Sequence, residues 1–292
     1  MNKRKLKIVI AIDGGGIRGV FPLMILNHIN TLIRANKIAE NINKCVDFIA
    51  GTSTGAIISA GLIVKENNKY IYSLEELLGL YQVRGPQLFN LANPKHEKSE
   101  GLRLVLKRKF KGIQLSDLDL KFAFVSYDIV NSQPFVFGSN KIDLSEVSLS
   151  TALAACSAIP GYFPSVHLNG YELIDGIMTA KNPAEIAYEE ARSYFPDEPI
   201  LLLSFGTGKL EGEMFDDMEE EVERVDASLK QKSRKEDNLF YYRFQPDIIH
   251  ADPKMDNATP ENIAALIQDG TSYIQNNKAL FEQLIQDWKI KE

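Results

Sequence analysis

A serine flanked by glycines two residues to either side sits at Gly51-Thr52-Ser53-Thr54-Gly55, between the apolar runs 46–50 and 56–60. Such spacing marks a sharp turn from a buried strand into a buried helix, the elbow on which a serine hydrolase presents its nucleophile. The turn is so tight that Gly51 and Gly55 leave no room for side chains, and it pushes the Ser53 hydroxyl out above the helix N-terminus. A second glycine cluster, Asp13-Gly14-Gly15-Gly16-Ile17-Arg18-Gly19, follows the apolar segment 6–12. As G-x-G-x-x-G it invites a dinucleotide reading, but that reading requires an acid at the end of the second strand, where Ile49-Ala50-Gly51 stands instead. The alternative is an oxyanion hole, in which the amides of Gly14, Gly15 and Gly16 converge on the negative charge that develops during acyl transfer. Arg18 then either fixes the loop through a carboxylate or adds positive potential.

The nucleophile needs a base. None of the four histidines (His28, His96, His167 and His250) has a setting that suggests one, which points to a two-residue arrangement. Asp175 is the best partner, because it closes the apolar stretch 171–174 and is followed by Gly176, which holds its carboxylate at a sheet edge. Partial desolvation would raise its basicity.

The elements that must position these groups are legible as a repeated strand, glycine turn and helix. Residues 6–12 and 46–50 read as buried strands, with helices over 17–35 and 54–64, which predicts a mostly parallel sheet wrapped by helices. Residues 73–110 read as helices interrupted at Gly85-Pro86 and Asn93-Pro94, covering one end of the site. Two strands joined at Asn131-Ser132, a small-residue helix over 150–156, strands over 171–174, 200–205 and 238–244, and two C-terminal helices split near Gly270 complete the pattern. Thr259-Pro260 opens the first of those helices as cap and first-turn proline.

At 292 residues, with 45% hydrophobic and 25% charged residues, the chain is expected to fold into a single globular domain spanning 1–292. Residues 211–237, rich in charge of both signs, are expected to form a lid-like insertion. The net charge of −6 gives no reason to expect nucleic acid as a partner. Basic clusters at 3–5, 103–111 and 230–235 suit solvated faces, with contact to anionic lipid headgroups as the functional alternative. No run approaches the ~20 apolar residues needed to span a bilayer. The N-terminal segment is too short for a secretory leader, and Cys45 and Cys156 suit buried thiols in a reducing compartment. The expected location is therefore cytoplasmic, or peripheral at a membrane surface.

The two glycine motifs and Asp175-Gly176, in this order, resemble the patatin-like phospholipase family. So do Cys156-Ser157-Ala158-Ile159-Pro160-Gly161-Tyr162-Phe163-Pro164 and Ser204-Phe205-Gly206-Thr207-Gly208. The resemblance implies a three-layer α/β/α sandwich with a mostly parallel central sheet. It also implies a Ser53/Asp175 dyad, an oxyanion hole from Gly14, Gly15 and Gly16, supporting roles for Arg18, Gly51, Gly55 and Gly176, and neither metal nor cofactor. One departure stands at Ile177, where the family's third motif usually carries a second small residue. The activity so implied is hydrolysis of fatty acyl esters of a lipid substrate: phospholipid, lysophospholipid or neutral glyceride. Acyl transfer through the same intermediate, or lipid binding without catalysis, are the alternatives.

Overall fold

The structure is a computed structural model that describes residues 5–89, 95–138, 146–210 and 217–291. The first half of the chain gives β1 (Lys7–Ile12), α1 (Val20–Ala35), β2 (Val46–Thr52), α2 (Thr54–Ile63), a short hairpin of β3 (Lys65–Glu66) and β4 (Lys69–Tyr70), α3 (Leu74–Leu88) and α4 (Lys95–Lys109). The middle gives β5 (Lys121–Asp128), β6 (Gln133–Gly138), α5 (Leu149–Cys156), β7 (Val166–Leu168), β8 (Tyr171–Asp175) and α6 (Ala184–Tyr194). There follow β9 (Ile200–Phe205), β10 (Lys209–Leu210), α7 (Asp217–Lys235), β11 (Leu239–Phe244), β12 (Asp247–Ile248), α8 (Pro260–Asn276) and α9 (Lys278–Lys291).

The central sheet runs β11-β9-β1-β2-β5-β8-β7, with β6 also paired to β5. The pairs among β11, β9, β1, β2 and β5 are parallel, while β6, β7 and β8 join antiparallel. Helices cover both faces, as a parallel sheet requires. The alternation along β1 shows this directly: Ile8, Ile10 and Ile12 point into the core shared with α1, α2, α5 and α8. Val9 and Ala11 point into a second core closed by Ala184, Ala187 and Ala191 of α6 and Val225 and Leu229 of α7. The architecture is thus the expected three-layer α/β/α sandwich.

Two local expectations fail for identifiable reasons. α3 runs through Gly85-Pro86 without interruption, because the proline falls near the helix end. The expected break at Asn93-Pro94 lies outside the described residues. Gly270 does not divide the C-terminal helices; it sits inside α8, where a Cβ would come within 2.9 Å of the Met24 sulfur, so it marks close approach to α1. Within the charged segment 211–237, residues 217–235 form the helix α7, whose Val222, Val225 and Leu229 are buried. The remainder of the lid-like segment, 211–216, lies outside the described residues.

Strand β5 explains how residues distant in sequence meet. One of its edges pairs with β6 over Ala123–Asp128. Its other edge takes two partners in succession: Phe48–Thr52 of β2, parallel, against Lys121–Val125, then Leu173–Asp175 of β8, antiparallel, against Ser126–Asp128. β2 and β8 therefore approach one another carboxyl end to carboxyl end, with Thr52 opposite Val125 and Asp175 opposite Ser126. Whatever follows Thr52 must face Asp175.

Candidate active site

Ser53 follows Thr52 with φ 52° and ψ −122°, backbone that L-residues rarely adopt. α2 starts at the next residue, and all ten of its residues are buried, so the elbow is wedged between strand and core. The turn closes only because its flanks are glycines: a Cβ on Gly55 would overlap the Ile12 carbonyl oxygen, and one on Gly51 the Gly55 backbone. Holding a serine in this conformation costs about 1–3 kcal/mol. Ser53→Gly is therefore expected to be more stable than Ser53→Ala by about 1 kcal/mol, since both lack the hydroxyl and only alanine keeps the strain. Paired denaturation curves measure the difference.

The Ser53 hydroxyl donates to Asp175 Oδ2 at 2.7 Å. The other carboxylate oxygen, Oδ1, accepts the Ile177 amide at 2.9 Å, and the Asp175 amide donates to the Ala158 carbonyl at 3.0 Å. Asp175 is fully buried. Desolvation pushes its carboxyl up to about 7, against the lowering effect of the Ile177 amide and the Ser53 hydroxyl. Gly176 packs on the Val125 backbone, and the buried Ile177 side chain lies against the glycine loop, within 3.4 Å of the place a Cβ of Gly14 would occupy.

The glycine loop does not present three equivalent amides. Gly14 already donates to the Lys181 carbonyl at 3.0 Å. The Gly15 and Gly16 amides have no acceptor among the described residues. Gly16 has φ 56° and lies directly under the Met255 carbonyl, leaving no space for a side chain. The loop is braced from two sides that the sequence does not reveal. Thr207 Oγ1 donates to the Gly14 carbonyl at 2.7 Å, from the segment following β9. Arg243 on β11 forms a two-pronged ion pair with Asp13, Nη1 to Oδ1 at 2.8 Å and Nη2 to Oδ2 at 2.6 Å, and Nη1 also donates to Ser204. Both partners are buried. Removing one partner strands the other's charge, so Arg243→Met is expected to cost about 3–5 kcal/mol of stability. Urea denaturation checks the magnitude.

Ser53 opens into a cavity of about 650 Å³. Its lining includes the polar residues Arg18, Ser157, Lys181 and Glu219 and the apolar residues Ile57, Leu88, Phe89, Leu102 and Phe163, with Gly16. Arg18 is thus a buried wall residue of the cavity. Lys181, also buried, pairs with Glu219 near the start of α7. Burial and then the Arg18 charge lower the Lys181 pKa, opposed by Glu219. The Asn182 amide donates to Glu221 at 3.1 Å, so α7 is fastened to the segment that follows Asp175. Among the described residues no histidine lines the cavity: His28 stacks edge-on against Phe281, His250 pairs with Asp269, and His167 is exposed on β7. The His96 side chain lies outside the described residues.

A site of this kind can deprotonate a hydroxyl and hold an oxyanion beside an apolar groove. The sequence profile of patatin-like phospholipases matches residues 10–188. Patatin-17 of Solanum cardiophyllum is 29% identical over 232 residues, 68% of this chain and 60% of that protein. Patatin-like protein 2 of Oryza sativa subsp. indica is 31% identical over 250 residues, 70% of this chain and 62% of that protein. The chain therefore spans about three fifths of the length of these relatives. Among solved structures, human GIVD cytosolic phospholipase A2 in complex with methyl gamma-linolenyl fluorophosphonate inhibitor and terbium chloride superposes with a TM-score of 0.51 at 12% identity. That likeness covers 97% of this chain and 59% of that one, and concerns the fold alone.

Proposed function

The chain belongs to the patatin-like phospholipase family, and from that membership we propose that it is a serine hydrolase cleaving fatty acyl esters of lipids through Ser53 and Asp175. The observation that carries the reading is the 2.7 Å hydrogen bond between a hydroxyl on a strained elbow and a buried carboxylate of raised pKa. Ser53 Oγ attacks the ester carbonyl while its proton passes to Asp175. The tetrahedral oxyanion is met by the Gly15 and Gly16 amides, which cost no reorganisation because the loop is already braced. Gly14 contributes by fixing that loop to Lys181 rather than by donating to the oxyanion. Asp175 then returns the proton to the departing alcohol, and water repeats the sequence on the acyl-enzyme to release the acid.

Arg18, Lys181 and Glu219 line the cavity together, which suits a polar alcohol portion of the ester. The proposed unit is one catalytic domain over the whole chain. Its α7 fastens the segment that follows Asp175, through Glu219 and Glu221. Among the described residues no helix is long and apolar enough to cross a membrane. Neither cysteine is in a disulfide. A cytoplasmic enzyme that meets lipid at a membrane surface fits both observations. The experiment is release of fatty acid by purified protein from phosphatidylcholine, lysophosphatidylcholine and trioleoylglycerol, with an added acceptor alcohol to intercept the acyl group. Free fatty acid from the phospholipids is expected. Acyl ester of the acceptor alone would make the protein a transferase, and no product from any lipid would remove the reading.

A further inference from the structure

A second cavity, of about 530 Å³, lies between α3 and α4. Its α3 wall includes Glu76, Gly79, Leu80, Val83 and Gln87, which stand at i, i+3, i+4, i+7 and i+11 and so share one helix face. Leu102, Val105 and Leu106 face them from α4. The two faces do not close on each other: Val83 is 72% exposed, and a Cβ on Gly79 would meet nothing within 4 Å. A helix interior disfavours glycine, and no neighbour requires it here, so its missing side chain provides only room. Ile57, Leu88, Phe89 and Leu102 line both this cavity and the one into which Ser53 opens. The two spaces share an apolar wall.

We propose that the cavity between α3 and α4 is the compartment for the distal part of the substrate's acyl chain, reached from Ser53 across Ile57, Leu88, Phe89 and Leu102. This rests on the reading of Ser53 as the acyl-accepting nucleophile. With the ester carbonyl at Ser53, Arg18, Lys181 and Glu219 disfavour a hydrocarbon beside them in the first cavity, and the second carries Glu76, Arg84, Arg108 and Lys109 together with its apolar residues. The shared apolar wall is where a chain gains by leaving water, and each further methylene that crosses it adds to binding. A short chain ends inside the first cavity and gains nothing from the second. Discrimination by chain length follows from the gap that Gly79 leaves open.

Gly79→Trp tests this by filling the gap from α3, with near-UV circular dichroism and the melting temperature as checks on folding. The ratio of kcat/KM for 4-nitrophenyl palmitate over 4-nitrophenyl butyrate is expected to fall at least about tenfold, the worth of roughly two buried methylenes. Fluorescence titration with cis-parinaric acid is expected to saturate the Ser53→Ala protein and to weaken by a similar factor in Ser53→Ala/Gly79→Trp. Val105→Phe blocks the cavity from the α4 side and is expected to act in the same direction, which covers any loss of folding in the tryptophan variant. An unchanged ester ratio together with an unchanged titration in a folded variant overturns the proposal. Wild-type protein inactive on both esters would remove the esterase reading, and the titration would still decide whether the cavity takes a fatty acyl chain.

Discussion

Ser53→Ala protein is expected to lose about 10⁴-fold or more in kcat on any ester the wild type hydrolyses, while keeping its fold. The size of the effect follows from the mechanism: without the hydroxyl no acyl-enzyme forms, and only binding and the oxyanion amides remain. Alanine keeps the strained backbone of position 53, so stability should change little beyond the loss of one buried hydrogen bond. Fatty acid release by the purified variant, with circular dichroism as the check on folding, measures both. Activity within tenfold of wild type would mean that the hydroxyl takes no part in the chemistry.

The second large effect is expected from Asp175→Asn. Asparagine preserves shape: its oxygen can still accept the Ile177 amide, and its amide group can donate to Ser53. What it lacks is the capacity to take a proton, so kcat/KM is expected to fall about 10²- to 10⁴-fold. The wild-type profile of kcat/KM should decline below about pH 7, where the carboxyl becomes protonated, and that limb should be absent from the variant's residual activity. Stability should respond in the opposite sense. Burial raises the carboxyl from an ordinary value of 3.8 to about 7, so between these values the native state holds a proton that the unfolded chain releases. Wild-type stability therefore falls as pH rises through that window, and the decline should be missing from Asp175→Asn. Relative to wild type, the variant should be more stable at pH 8 than at pH 4, as chemical denaturation at the two values will show. A catalytic group kept at a cost to stability is the expected pattern for a functional site.

Much of the site's chemistry was legible in local sequence, and much of its geometry was not. The elbow at Ser53 is a local structure whose glycines are demanded by contacts within a few residues, so five letters suffice to announce it. The parallel sheet is legible for a similar reason, since strands such as Ile200–Phe205, buried on both faces, read as unbroken apolar runs. The meeting of Ser53 with Asp175 is different in kind. It depends on β2 and β8 sharing one edge of β5, which no local pattern encodes. Arg243 lies 230 positions from the Asp13 it neutralises, and its neighbours on β11 are aromatic residues that suggest only a strand. Lys181 sits in a polar loop and gains significance only from burial beside Arg18. α6 packs on the sheet through Ala184, Ala187 and Ala191, so its inner face lacks the bulky apolar stripe that makes a helix conspicuous. Gly85-Pro86 and Gly270 misled in the opposite direction: residue types that break isolated helices were accommodated by position in one case and by close packing in the other. The glycine loop shows both sides at once, because its role was suggested by composition while the commitment of the Gly14 amide to Lys181 required the tertiary structure.

The most direct test of the Ser53 and Asp175 pairing is covalent labelling of the folded protein by an alkyl fluorophosphonate, followed by intact mass and peptide mapping across pH. A single adduct on Ser53 is predicted, forming at a rate that rises through about pH 7 and slows at least about 100-fold in Asp175→Asn. An adduct on another residue, or labelling of Ser53 at the same rate with and without the Asp175 carboxylate, would contradict the account.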